Sequence, residues 1–331
     1  MAAEGLGGVA RDEARRVSDA PTTVLADAPL AQSAQPASAD VSATAAASAA
    51  LQKERDRLLG ELKKVTAERD AFRQQLHHLA AYNRPDPRHK ADLLFLLRRL
   101  EPMAVEGCSK LRVGRAHDGG YVMLDDFVGV QAAYSFGVNR DTAWDRQIAD
   151  CGIDVFQYDH TIEALPEQHP RFHWFRCGIG PLPDANLPLT TLADALVSNG
   201  HAQAIELILK CDIEDAEWDV FGMADPACLA QFRQIVVEFH WLERMVQPQR
   251  YHQMLRAISA LTVHHQPIHV HANNFAPMAV ISGVSVPSVL EVTFVRKAGK
   301  TFRKTDETFP TALDSPNAAG LSDYYLGHFR F

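Results

Sequence analysis

The 331-residue chain contains no apolar run approaching the roughly 20 residues that a membrane-spanning helix requires. Its five cysteines (Cys108, Cys151, Cys177, Cys211 and Cys228) include no CxxC pair, and their number is odd. That excludes a zinc knuckle and a disulfide framework, fits a reducing cytoplasm, and makes each thiol a small buried hydrophobe in expectation. Basic residues are in deficit, 33 against 41 acidic, for a formal charge of −8. A global pull toward nucleic acid or anionic lipid is therefore excluded. Residues 1–50 lack Phe, Tyr, Trp and Ile altogether and are mostly Ala, Ser, Asp, Pro and Gly. Such a segment buries too little apolar surface to offset the entropy of ordering it, so a disordered tail is expected. Glu4, Arg11, Asp12 and Glu13 interrupt it too early for a signal peptide, and its acids argue against a mitochondrial presequence.

A helical periodicity begins at Leu51. Leu51, Leu58, Leu62, Val65, Phe72, Leu76 and Leu79 follow alternating steps of three and four residues, with Arg55 and Arg69 in the remaining seam positions. The intervening residues are rich in Glu, Lys, Arg and Gln. This is an a/d heptad pattern and predicts a coiled-coil helix over 51–84, which would make the protein a homo-oligomer or dock it to a partner. Pro85 and Pro87 end the helix.

Residues 85–331 read as one α/β domain. Strand candidates are Ala132–Val138, Asp154–Asp159, His173–Ile179, Glu206–Asp212, Gln234–Trp241, Ile268–Asn273 and Val289–Arg296. Helix-like segments lie between them: Thr142–Cys151, Leu192–Ser198, Glu217–Met223, Ala227–Phe232 and Glu243–Leu261. The alternation predicts a mainly parallel, Rossmann-like sheet with helices on both faces. Ligands in such sheets bind outside the carboxyl ends of the strands, so the strand tips are the residues to inspect.

The first tip holds Gly137 and Asn139. A glycine there lets backbone approach a ligand, but no GxGxxG accompanies it, which disfavours a pyrophosphate cofactor and an NAD-dependent dehydrogenase. Asp159 ends the second strand, where an acid can accept both hydroxyls of a ribose; the alternative is a helix N-cap. Cys177 and Gly178 follow the third, where an adenine ring can lie against backbone and a small side chain. The fourth tip carries four carboxylates in six residues, Asp212, Glu214, Asp215 and Glu217. Unpaired charge is costly at a buried tip, so Asp212 is expected to have a cation, a Lys or a substrate hydroxyl as partner. Alternation along the later strands puts Glu238 with His240, and His269 with His271 and Asn273. A histidine suits removal of a hydroxyl proton at neutral pH. Asp212, Glu238 and His240, with His271 nearby, also form a ligand set for Mg or Mn. His264 and His265 read as surface-loop residues.

Taken in order, RVGRAHDGGYVML (with Asp118 and Tyr121), YSFGVNRD, QYDHT, LKCDIEDAEW, VVEFHW and HVHANN resemble the methyltransferase-like family related to FkbM-type enzymes, over roughly 108–296. The family pattern usually has Gly where this chain has Asp215. The resemblance implies a class I S-adenosylmethionine-dependent methyltransferase fold of seven strands, the last antiparallel. It further implies that Gly137 and Asn139 face the methionine part of the cofactor, Asp159 the ribose, Cys177 and Gly178 the adenine, and Asp212 the active centre. O-methylation of a sugar, polysaccharide precursor or other small molecule follows as the expected activity, with a polysaccharide-assembly protein as a possible docking partner for the coil. In that reading His240 is the first choice of base and His271 the second. Asp212 and Glu238 orient the hydroxyl or hold a divalent cation, and Asp118 to Tyr121 form part of a lid. The competing expectation is a non-catalytic scaffold with a methyltransferase-like ligand-binding domain. Acceptor specificity is expected in Pro181–Leu189 and in the tail Lys297–Phe331.

Overall fold

The computed structural model of the chain describes residues 46, 48–66, 85–184 and 187–331. Contacts divide the chain into two units, 1–69 and 70–331. In the first, 48–66 is helical, so the helix already includes Ser48, Ala49 and Ala50, upstream of the expected start at Leu51. Alanine, the best helix former, extends it. Arg57 pairs with Glu54 at 2.7 Å and with Glu61 at 2.6 Å along its surface. The seam residues Leu51, Leu58, Leu62 and Val65 are all exposed. The later heptad positions Phe72, Leu76 and Leu79, and nearly all of the expected tail, lie outside the described residues.

The second unit is built on a seven-stranded sheet. Its strands are β1 (Ala132–Phe136), β2 (Asp154–Tyr158), β3 (Phe172–Phe175), β4 (Leu207–Cys211), β5 (Phe232–Phe239), β6 (His265–Ala272) and β7 (Leu290–Arg296). Their spatial order is β3-β2-β1-β4-β5-β7-β6. β7 runs antiparallel to both neighbours, and every other pairing is parallel. The central strands are mostly apolar because both faces are covered: every residue of β1 and β4 is buried, including the polar Ser135 and Lys210.

Alternate residues feed two cores. Tyr134, Phe136, Leu209, Val237 and Phe239 join one cluster with helices α1 (Pro87–Leu97), α3 (Leu192–Ser198), α4 (Glu217–Met223) and α6 (Pro248–His264). Ala133, Val155, Ile208 and Val236 face the other way, onto α2 (Ala143–Asp150) and a hairpin of Lys110–Val113 with Tyr121–Leu124. One face is therefore covered by a helix and a hairpin, where helices alone were expected. The hairpin is tied down by buried polar groups. Gln234 on β5 accepts from the Leu124 amide at 2.9 Å and donates to its carbonyl at 3.0 Å, and the Thr293 hydroxyl on β7 donates to the Val122 carbonyl.

Several expected elements differ in detail. The third strand breaks after Phe175, and Gly178–Ile179 pairs instead with Leu189–Thr190. The expected helix Glu243–Leu261 is a 3-10 turn, Leu242–Val246, followed by α6; Pro248 starts the new helix because its fixed φ and missing N–H suit a first turn. The helix expected at Ala227–Phe232 spans only Pro226–Leu229, and Phe232 begins β5. His265 is no surface residue: it is the first residue of β6, fully buried. Of the cysteines only Cys211 is buried; Cys108 and Cys151 are exposed in turns, and Cys177 and Cys228 are half-buried. No described helix is long and apolar enough to cross a membrane.

Candidate functional site

Register brings the strand tips level. Phe136 pairs with both Tyr158 and Cys211, and Tyr158 with Phe175, so Gly137, Asp159 and Asp212 all follow at one edge of the sheet. The chain order of strands reverses between β1 and β4, which is where such sheets open a crevice. Gly137 is required at that point. Its φ is +74°, and a Cβ there would stand 1.6 Å from the Asp212 carbonyl oxygen. The buried Lys210 ammonium, two residues before Asp212, donates to the Gly137 carbonyl at 2.7 Å and fixes the same turn.

On the β1–β3 side, Asp159 organises the loop. Its Oδ2 accepts the amides of Val138 (3.0 Å) and Asn139 (2.8 Å), and its Oδ1 accepts the amide (2.7 Å) and hydroxyl (2.6 Å) of Thr161. Burial opposes ionisation, but these four donors hold the carboxyl below its usual range. Asn139 is exposed at φ +50°. Cys177 is half-buried, and burial pushes its thiol up. Gly178 forms a shallow cradle: a Cβ there would lie 2.4 Å from Nδ1 of the exposed His160, whose flat ring rests where an adenine is expected.

The β4–β7 side is a nest of carboxylates. Asp212, Glu238 and His240 offer ligand atoms that all lie within 4.8 Å of one another. The Tyr121 hydroxyl, from the covering hairpin, donates to Asp212 and Glu238, each at 3.3 Å. Asn273, at the end of β6, donates to Glu238 at 2.7 Å. His240 Nδ1 lies 3.1 Å from Glu217 Oε1, which also accepts the Ile213 amide at 2.7 Å. Trp218 Nε1 donates to the His240 carbonyl and holds the strand end against α4.

The electrostatics follow from this crowding. Burial, relieved partly by Lys210 and His240, pushes Asp212 up to about 6. Glu238 rises well above the carboxylate range, first through burial and then through the charges of Asp212 and Glu291. Burial and the same carboxylates keep the Tyr121 hydroxyl protonated. Burial alone would depress His240, yet its hydrogen bond to Glu217 and the surrounding carboxylates raise it to about 10. Such a ring carries its proton at neutral pH, so in the free protein His240 pairs with acids and is not free to accept a proton.

Glu238 also faces Glu291 directly across the β5–β7 pair, a like-charge contact that destabilises a sheet unless it is compensated. Compensation comes from β6 and from the carboxyl-terminal segment. His271 pairs with Glu291 at 3.0 Å and with Asp323 at 2.9 Å, and Asn317 donates to Glu291 at 2.6 Å and to Asp118 at 3.2 Å. Burial opposes the proton on His271, but Glu291 and Asp323 raise it to about 10. This ring too is ion-paired on both nitrogens. His269, on the same face of β6, turns to Asp314 at 2.8 Å. The tail therefore reaches the site through Asp314, Asn317 and Asp323. Sequence reasoning missed Asn317, Asp323 and Glu291, and it counted Glu217 among the tip carboxylates without pairing it to His240.

Asp215, where the resembled family usually has glycine, has φ +88°. Its carboxylate pairs with Arg244 at 2.8 Å and with Arg250. The turn keeps a glycine-like backbone while the side chain anchors the following 3-10 turn and α6. Compared with protein-family models and with curated proteins, the chain finds no match.

Proposed function

We propose that the chain is an S-adenosylmethionine-dependent methyltransferase acting on a hydroxyl of a sugar or other small polyol. The observation that carries this reading is the meeting, at the β1–β4 switch point, of the glycine turn at Gly137 with half-buried Asp212 and buried Glu238 and His240. The strand order and the single antiparallel strand β7 support the class I methyltransferase form of the sheet. The residues present fit the cofactor: Gly178 leaves a cradle that already holds a flat ring, and Asp159 stands at the tip of β2. Its oxygens are fully engaged, so a ribose diol takes the place of the Thr161 hydroxyl at Oδ1.

S-adenosylmethionine supplies an electrophilic methyl group. Gly137 and Asn139 line the end of the crevice nearest Asp212. Tyr121 and Asn273 fix the rotamers of Asp212 and Glu238, which orient the acceptor hydroxyl, and Asp212, the carboxylate that stays ionised at neutral pH, draws its proton. Both imidazoles are ion-paired: His240 lies 3.9 Å from Asp212 and 3.8 Å from Glu238 and positions them, while His271 holds Glu291, which faces Glu238 across the sheet. Asp118, tied to the tail through Asn317, closes the acceptor side. A rim of carboxylates and carboxamides accepts several hydroxyl hydrogens, which suits a sugar.

Calorimetric titration of the full chain with S-adenosylmethionine tests the reading. Stoichiometric binding that Asp159→Ala weakens at least tenfold is expected. No binding by the wild-type protein, or stabilisation in thermal melts by NAD and not by S-adenosylhomocysteine, overturns it.

A further inference from the structure

Four carboxylates crowd one imidazole. Asp212, Glu214, Glu217 and Glu238 each place an oxygen within 3.9 Å of a His240 ring nitrogen. Among the described residues the Lys210 ammonium stands nearby, directed at the Gly137 carbonyl and over the Tyr121 ring. Glu217 and Glu238 are buried, Asp212 is half-buried and Glu214 is exposed, and carboxylates gathered at a partly buried point favour a positive charge among them.

The side chains are arranged to receive it. His240 is 7% exposed, and its Nε2 has no hydrogen-bond acceptor; it points among Glu214, Glu238 and Asp212 at 3.5, 3.8 and 3.9 Å. Two ligand atoms each about 2.1 Å from one ion stand about 3.0 Å apart at a right angle and about 4.2 Å apart when opposed. The spacings of Nε2 from Glu238 and Asp212 fall inside that window. Each of the three also has an outer partner of the kind that orients metal ligands. Glu217 engages His240 Nδ1, which fixes the ring with Nε2 toward the cluster. Asn273 donates to Glu238, and the Tyr121 hydroxyl bridges Glu238 and Asp212.

We propose that Asp212, Glu238 and His240 bind one divalent first-row cation, with Glu217, Asn273 and Tyr121 as the shell that orients them. Two carboxylates and one imidazole suit Mn2+ better than Mg2+, because the nitrogen ligand favours the softer ion. Glu214, exposed, is the fourth carboxylate, 3.5 Å from His240 Nε2. This inference concerns the site assigned to catalysis but does not depend on the cofactor.

The test is titration of the metal-stripped full chain with MnCl2, followed by electron paramagnetic resonance and by calorimetry in two buffers of different ionisation enthalpy. One saturable Mn2+ per chain is expected, with the same stoichiometry in both buffers. His240→Ala and Asp212→Asn should weaken binding at least a hundredfold. Glu217→Gln, which keeps the shape of the side chain, should weaken it by about 10- to 100-fold. Absence of saturable binding by the wild-type protein at 1 mM Mn2+, or binding indifferent to all three substitutions, overturns the proposal. Mn2+ binding without S-adenosylmethionine binding upholds this site and removes the methyltransferase reading.

Discussion

Asp215 and His265 show how single positions carry the local fold. At φ +88°, Asp215 sits in a region that costs an L-residue about 1–2 kcal/mol, and its two arginine partners offset that. Asp215→Ala keeps the strain and loses both pairs. Asp215→Gly loses the pairs but relieves the strain, so it should be more stable than the alanine variant by about 1 kcal/mol and still less stable than wild type. Urea denaturation of the three proteins decides this; an alanine variant as stable as wild type would show that the pairs contribute nothing. His265 is buried between the Leu261 and Phe232 carbonyls, and burial lowers it to about 4. Its folded value lies below the unfolded one, so its contribution is complete above pH 6.5 and is lost as pH falls toward 4, up to about 3 kcal/mol. Melting curves of wild type and His265→Gln should diverge in slope across that window; parallel curves refute the assignment. The tip residues Asp212, Glu238 and His240 were legible in the sequence because a strand ends visibly and its faces alternate every second residue. Glu217, Glu291 and Asp323 were not, since they arrive from a helix start, an opposed strand and a distant tail, and no local period records that.

Among the elements, the carboxyl-terminal segment depends most on buried charge. It is held to β6 and β7 by Asp314 on His269, Asp323 on His271 and Asn317 on Glu291, while the Asn274 side chain accepts from the Ala318 amide and donates to the Ser322 carbonyl. Removing the shared cation with His271→Ala leaves Glu291 and Asp323 uncompensated and should cost about 3–5 kcal/mol by urea denaturation. The pH dependence runs opposite to that of His265. His271 is raised to about 10, so its contribution is complete below pH 6.5 and fades as pH rises toward 10. Hydrogen exchange at Tyr324 and Leu326 should therefore quicken between pH 7 and 10 beyond the intrinsic base-catalysed rate, and in His271→Ala that excess should vanish. The seven strands themselves were readable as apolar runs broken by Gly, Pro and charge. The covering hairpin and a second one, Met278–Ile281 with Val284–Pro287, escaped notice because four-residue strands such as Lys110–Val113 are too short to establish a period. The break inside the third strand escaped because its cause is the separate pairing of Gly178–Ile179 with Leu189–Thr190.

For the whole molecule, the open question is what covers the amino-terminal helix. Its described part presents Leu51, Leu58, Leu62 and Val65 to solvent along one seam, with 72, 50, 61 and 60% of their surface exposed. Glu54, Arg57 and Glu61 pair along the remaining surface, so the charged side of the helix is satisfied within the helix itself. A single helix of this length is marginal in water, because nucleation is costly and an unpaired apolar seam gains nothing from burial. A second copy supplies a matching seam with the same heptad spacing, and Arg55 in that seam limits how strongly the pair associates. The expected state is thus a homodimer held by the coil, with the site complete in each chain, since its ligands and their orienting partners all come from residues 118–323 of one copy. Light scattering of the full chain at micromolar concentration should give twice the mass of one chain, and the double substitution Leu58→Glu, Leu62→Glu should give a single-chain mass. Mn2+ binding should be unchanged in that variant. A full-length protein of single-chain mass, or a variant that remains dimeric, removes the coil as the dimer contact; a monomeric variant that loses Mn2+ binding shows that the site needs the second copy.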